Sequence, residues 1–104
     1  MKILFDQGTT VPLRRHLHPH LVDTSAERGW STLRNGDLLD QAESDDYDVF
    51  ITTDQNLKYQ QNLTNRTIRV LVLTSTSWPR ISKKAHQIRD ALTSDESGYM
   101  EVDI

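Results

Sequence analysis

Two apolar runs in this chain stop abruptly at a carboxylate, and that pattern constrains its fold more than any other feature. Lys2-Ile3-Leu4-Phe5 runs into Asp6, and Val49-Phe50-Ile51 runs through Thr52 and Thr53 into Asp54. Short β-branched and aromatic runs of this kind read as buried strands. An open parallel sheet binds its ligands just outside the carboxyl ends of its strands. Two strands that both end in aspartate are therefore expected to build one acidic site from distant parts of the chain.

The segments between and beyond these runs alternate in period. Pro12 suits a first helical position, and Leu13 with Leu17 gives a short helix one apolar face, with Arg14 and Arg15 outside. His20 to Thr24 reads as a second strand, and Ser25 to Trp30 as a helical turn closed by Gly29. Asn35 reads as an N-cap, and Leu38, Leu39 and Ala42 mark a helix with Asp37 in its first turn. Residues 43–48 form an acidic loop without the glycine and terminal glutamate of a calcium loop. Gln55 to Leu63 predicts one or two helical turns, and Ile68 to Leu73 is the clearest strand in the chain. Ile81, Ala85, Ile88 and Leu92 predict one amphipathic helix over 78–93, capped by Thr76 or Ser77. Ser94 to Gly98 then reads as a linker and Tyr99 to Ile104 as an edge strand. The order β-α-β-α-α-β-α-β-α-β argues for an α/β fold, a three-layer α/β/α sandwich around a mostly parallel sheet of about five strands.

Composition narrows the setting. With 104 residues and 36% hydrophobic content, the chain supports a single core and hence one domain. It has no cysteine, which excludes disulfides and thiolate metal sites and fits a reducing cytoplasm. No signal-peptide core precedes Asp6, and no apolar run approaches the ~18 residues that span a membrane. Two glycosylation sequons, at Asn62 and Asn65, are without meaning in that setting. The net charge of −3 leaves no broad basic footprint for nucleic acid, although a bound divalent cation would invert the local charge at an acidic centre. His16, His18 and His20 alternate as metal ligands on a strand would, but Pro19 interrupts the pattern, and a solvated helix end is the ordinary reading. Trp30 stands between two roles, a plug in the core or a stacking surface for a base.

Asp6 and Asp54 are the first candidates for chemistry. A carboxylate at a buried strand's end must be hydrogen-bonded, paired or bound to metal, unless it merely caps the element that follows. Convergent carboxylates repel one another, and a hard divalent cation such as Mg²⁺ or Mn²⁺ resolves the repulsion. Such ions activate water and stabilise charge on a phosphoryl oxygen. Asp37 is the expected third ligand and third catalytic acid. Thr52, Thr53 and Ser75 are expected to orient water or the carboxylates. Arg28, Arg34, Lys58 and Arg80 are the cations expected to hold phosphates.

The chain resembles a small PIN-like domain (PilT N-terminus type), in particular a short, functionally unassigned branch that often sits beside a small antitoxin-like partner. The residues that carry the resemblance are Ile3-Leu4-Phe5-Asp6, Asn35-Gly36-Asp37-Leu38-Leu39 with Ala42, Phe50-Ile51-Thr52-Thr53-Asp54 and Val70-Leu71-Val72-Leu73. The resemblance implies a Rossmann-like sandwich and, in active members, Mg²⁺- or Mn²⁺-dependent cleavage of RNA by an acidic cluster. It also implies a toxin–antitoxin pairing with a small protein. The chain departs from the branch at Asn35, where an aspartate is common, and at Asn56-Leu57, where aspartate and phenylalanine are common. Those departures open a second reading, a PIN-like module that no longer cuts and serves as an interaction partner. A third reading, a phosphoacceptor receiver domain with Asp6, Asp54 and Thr74, lacks the second acid beside Asp6 (Gln7 stands there) and the lysine after the last strand. Met100, Val102 and Ile104 in the last strand, read as exposed, suggest a homodimer.

Overall fold

The computed structural model describes residues 1–63, 66–94 and 98–104. Five strands, β1 (Lys2–Phe5), β2 (Leu21–Thr24), β3 (Val49–Thr52), β4 (Arg69–Leu73) and β5 (Tyr99–Val102), form one sheet in the order β2-β1-β3-β4-β5. All four neighbouring pairs are parallel. A 3-10 helix (Val11–Leu17) follows β1, α1 (Asn35–Ser44) follows β2 and α2 (Leu57–Gln60) follows β3. Two helices, α3 (Trp78–Lys83) and α4 (Ala85–Leu92), connect β4 to β5.

Side-chain alternation divides the core into two layers. Ile3, Phe5, Val49, Ile51, Leu71 and Leu73 point to one face, where they pack with Leu13 and Leu17 of the 3-10 helix, Ile81 of α3, and Ile88 and Leu92 of α4. Leu4, Phe50, Val70 and Val72 point to the other, against Leu38, Leu39 and Ala42 of α1 and Leu57 of α2. Each large side chain buried in this way contributes about 1.5–3 kcal/mol relative to exposure. Because both faces are covered, the strands read as continuous apolar runs. The fold class is thus an α/β/α sandwich, and its sheet is parallel throughout.

Three local features differ from the sequence expectation. The helix expected over 78–93 breaks at Lys84 (φ −118°), whose amide bonds back to Ile81. The break lets Ile81 on one piece and Ala85, Ile88 and Leu92 on the other enter the same cluster. Asn35 is the first residue of α1 and not its cap; Arg34 holds the cap position with no side-chain hydrogen bond. Met100 and Ile104 are half-buried and Val102 is buried, all packed on the face that carries α4. The exposed apolar stripe on which a homodimer was expected is therefore part of the subunit's own core. The expected linker Ser94–Gly98 lies partly outside the described residues, as do Thr64 and Asn65 of the two sequons. Among the described residues, no helix is long and apolar enough to cross a membrane.

The chain leaves β1 toward one side of the sheet, to β2, and then returns across it to β3. This reversal opens a crevice at the carboxyl ends of β1 and β3. Beside it, residues 24–30 form a tight turn rather than a helix. Glu27 accepts from the Thr24 amide at 2.9 Å, and the Glu27 amide donates to Thr24 Oγ1 at 3.1 Å, a reciprocal capping box. Gly29, at φ +75°, closes the turn, and the Trp30 amide donates back to the Ser25 carbonyl at 2.8 Å. That turn delivers Trp30 to the rim of the crevice.

Candidate functional site

The register of β1 on β3 pairs Leu4 with Phe50 and Phe5 with Ile51. One step further, Asp6 lies beside Thr52, and the period of two sends both side chains to the face that carries α1 and α2. The Asp6 amide still holds the ladder through the Ile51 carbonyl at 3.2 Å. Thr52, fully buried at 1% exposure, donates its hydroxyl to Asp6 Oδ2. The same Oγ1 accepts from the Asp54 amide at 3.0 Å. One hydroxyl therefore ties both candidate aspartates to the end of β3.

The other oxygens are also fixed. Asp6 Oδ1 accepts from Thr9 Oγ1 at 2.7 Å, and that hydroxyl lies 2.9 Å from the Ile51 carbonyl. Thr9 reaches back because Asp6 to Thr9 is a turn, closed by the Thr9 amide on the Asp6 carbonyl at 3.2 Å. Gly8 sits inside this turn so close to Thr53 that a Cβ there would lie 2.8 Å from Thr53 Oγ1. Asp54 Oδ1 accepts from the Asn56 amide at 3.0 Å, the local turn that aspartate favours. Asp54 Oδ2 accepts from Asn35 Nδ2 at 3.2 Å, and the same nitrogen lies 3.2 Å from Gln60 Oε1. Asn35 thus joins the start of α1 to the loop after β3.

The structure brings Asp6, Asp54 and Thr52 together and sets Thr53 against Gly8 beside them. It does not bring in Asp37, whose side chain is exposed and, among the described residues, makes no hydrogen bond or ion pair. Asn35 faces the site, and at 3.6 residues per turn a position two further on lies about 200° round the helix. Among the described residues, no group of three His, Cys, Asp or Glu side chains is placed to hold a metal ion. Ser75 lies apart, its hydroxyl accepting from the Ser77 amide at 3.0 Å before α3. Thr74 donates to Asp103 at 3.1 Å. His16 packs beside Trp78 with ring centroids 5.4 Å apart, and His20 Nδ1 lies 3.1 Å from the terminal amine.

The four candidate cations divide sharply. Arg28 pairs with Asp45 and lies over the Trp30 ring, 4.6 Å from its centroid. Lys58 donates to Glu101 at 3.0 Å, and this bond holds its ammonium protonated to higher pH than usual. Arg80 donates to the Ile104 carbonyl at 3.3 Å. Among the described residues, Arg34 is the one of the four whose side chain has no partner, and it is the residue next to Asn35.

The donors present fit a hard divalent cation in kind. Two carboxylates suit Mg²⁺ or Mn²⁺, since such an ion keeps several waters and draws other ligands from substrate phosphate, whereas Asn35 presents only its Nδ2 donor to Asp54. They fall one acid short of the cluster expected from the sequence.

Two hollows meet at Asp6. One of about 140 Å³ is lined by Asp6, Asn35, Ser25, Trp30, Leu33 and Leu38, among others. A more apolar one of about 340 Å³ runs over Thr9, Val11, Thr24 and Ala26. A larger cleft, about 430 Å³, lies at the amino-terminal ends of the strands around Tyr47, Asp48 and Arg69, away from the aspartates.

Thr9 and Asn35 are the site residues that the sequence reading missed in these roles. Thr9 had a local signal, a hydroxyl three residues beyond Asp6 across a glycine. Asn35 stood where the resembling branch commonly carries an aspartate, but only the packing of α1 against the loop after β3 gives its amide a partner. Fold and site together define the class, a five-stranded all-parallel α/β domain with a hydrogen-bonded aspartate pair at its topological switch point. No family model, curated protein or solved structure matches the chain.

Proposed function

We propose that this chain is a PIN-like ribonuclease that uses Mg²⁺ or Mn²⁺ held by Asp6 and Asp54. The observation that carries the reading is the convergence of Asp6 and Asp54 just beyond the ends of adjacent parallel strands, where the Thr52 hydroxyl donates to the Asp6 carboxylate and accepts from the Asp54 backbone amide. A cation bound there would lower the pKa of a coordinated water and neutralise charge on the phosphoryl oxygens. The chain's own residues supply the geometry. Thr9 and Thr52 lock the rotation of Asp6, Asn35 and the Asn56 amide lock that of Asp54, and Arg34 offers a guanidinium that is unpaired among the described residues to a phosphate. Arg28, Lys58 and Arg80 are committed within the protein, so phosphate contacts fall chiefly to Arg34 and the cation. A small antitoxin-like protein is the partner that this reading assigns.

A second reading, a non-cutting interaction module, is favoured by one observation. Asp54 Oδ2 is already satisfied by the side-chain amide of Asn35, a position where the resembling branch commonly carries an acid.

The deciding experiment is cleavage of a mixed structured and single-stranded RNA pool in Mg²⁺, Mn²⁺ or EDTA by wild type, Asp6→Asn and Asp54→Asn. Metal-dependent cleavage by wild type, lost in both variants while both remain folded, supports the ribonuclease. Cleavage that survives Asp54→Asn sinks it. No cleavage, together with no rise in melting temperature at millimolar Mn²⁺, selects the interaction module.

A further inference from the structure

We propose that the outer edge of β5 is an interface for a second copy of this chain, where two subunits join their sheets antiparallel across a two-fold axis. The inference is independent of the ribonuclease reading.

The two edges of the sheet are unlike. The Gly98 carbonyl accepts from the Val70 amide at 2.8 Å and the Val102 carbonyl from the Thr74 amide at 3.3 Å, so these residues turn their peptide groups toward β4. The alternate residues, Tyr99 and Glu101, turn theirs outward, where they meet no partner among the described residues. At the far edge, Leu21 and Ser25 of β2 and its turn bond back to β1, and Val22 and Thr24 face out. There the Thr24 amide is taken by the Glu27 carboxylate at 2.9 Å and the Thr24 carbonyl by the Arg28 amide at 3.2 Å. The turn after β2 caps that edge from within, and β5 remains the open one.

Proteins keep open edges apart with prolines, bulges or unpaired charges. β5 has no proline, and its register on β4 runs without a bulge. Its one charged residue, Glu101, accepts from the Lys58 ammonium at 3.0 Å and from the Tyr99 hydroxyl, so its charge is already balanced. Tyr59 stands beside this pair at 78% exposure, with the Lys58 ammonium 5.2 Å from its ring and 5.6 Å from that of Tyr99. A partner that covers this seam strands no charge.

Symmetry selects the partner and the register. A single open edge closes into a dimer when it meets its own copy, whereas two open edges would extend into a filament. Two antiparallel registers bring the outward groups face to face. Glu101 opposite Glu101 sets like charges directly against each other and calls on the Asp103 carbonyl, which the Lys84 ammonium already holds at 3.2 Å. Tyr99 opposite Glu101 avoids both faults. Each such pair exchanges its backbone hydrogen bonds, and Met100 meets its own copy at a closely spaced, non-hydrogen-bonded position on the axis. The interface uses that register. The two faces of β5 stay in the subunit's own core, and only its edge is shared. One short strand pair lies at the small end of specific interfaces, so a dissociation constant on the order of micromolar is expected.

The test is the mass in solution together with one introduced thiol. Sedimentation equilibrium of the full chain from about 1 to about 200 µM is expected to show a reversible rise from 12.0 kDa to twice that mass. Glu101→Pro removes an outward amide that β4 does not use, and is expected to keep the far-UV circular dichroism while weakening association about tenfold or more. The chain has no cysteine, so Met100→Cys places its only thiol on the axis. Opposed Cα atoms at a non-hydrogen-bonded pair stand about 4.5 Å apart, within disulfide range. Mild oxidation is expected to cross-link Met100→Cys subunits and to leave Glu101→Cys largely uncross-linked. A monomer mass throughout, growth beyond the dimer, association undisturbed by a folded Glu101→Pro, or cross-linking of Glu101→Cys in preference to Met100→Cys overturns the proposal. Should Glu101→Pro fail to fold, the two cysteine variants decide.

Discussion

Thr52 and Asp6, 46 residues apart in sequence, are joined by a hydrogen bond from the threonine hydroxyl to the aspartate Oδ2 at the junction of β1 and β3. The threonine Oγ1 in turn accepts from the Asp54 backbone amide at 3.0 Å. Thr52 therefore holds the Asp6 carboxylate and the Asp54 backbone at one point, while its own side chain is buried.

Thr52→Val tests that role. Valine matches threonine in shape but neither donates to Asp6 nor accepts from Asp54. Leaving such buried groups unpaired costs about 1–3 kcal/mol. In a domain of this size each kcal/mol lowers the melting temperature by roughly 4–8 °C. A fall of that size in thermal unfolding is expected for Thr52→Val and little change for Thr52→Ser. An unaltered Thr52→Val melting curve would show that the bond contributes nothing.

Asn35→Asp tests why the acidic cluster is incomplete. The substitution removes the amide donation to Asp54 and Gln60 and sets a third carboxylate beside the first two. Like charges in one site disfavour its metal-free form. The variant is therefore expected to melt below wild type in EDTA and above its own EDTA value in millimolar Mn²⁺, with a larger metal-induced rise than wild type shows. Equal responses of the two proteins to Mn²⁺ would count against a cation seat at Asn35.

Glu43 offers a pH test away from the site. Burial alone would raise its pKa, but hydrogen bonds from the Thr67 hydroxyl and amide and from Arg66 outweigh burial and hold the carboxyl below its usual range. A folded-state pKa below the unfolded one adds stability that is complete above the unfolded value, 4.5, and is lost as pH falls through the depressed folded value. Glu43→Gln is expected to lose about 1–2 kcal/mol at pH 7, a charge-assisted bond discounted for partial exposure. The gap between the two proteins should close as unfolding is repeated toward pH 3. A gap independent of pH would show that the charge of Glu43 is not what stabilises the clasp.

Much of this protein was legible before its tertiary structure. Leu4, Phe50 and Val70 sit in apolar runs too short for helices and too continuous for half-exposed strands, and a sheet covered on both faces follows from them. That Asp6 and Asp54 would come together could be read because each ends such a run, and in a parallel sheet those ends share one edge. The break at Lys84 was not legible. The apolar spacing from Ile81 to Leu92 is continuous, and only the shape of the face beneath it makes two shorter helices fit better than one.

The sequence by itself determined the layers and the edge at which the two aspartates gather, because strand period and burial are properties of neighbouring residues. Tertiary structure decided which residues complete the site. Asn35 and Asp37 stand two apart at the start of one helix, and the sequence favoured the charged one. Helix rotation sends Asp37 to solvent and Asn35 to Asp54, while Thr9, which a strand-end reading passes over, turns back on Asp6. Those choices depend on the rotation of α1 against the sheet and the course of a turn, which are set by contacts between residues far apart in the chain.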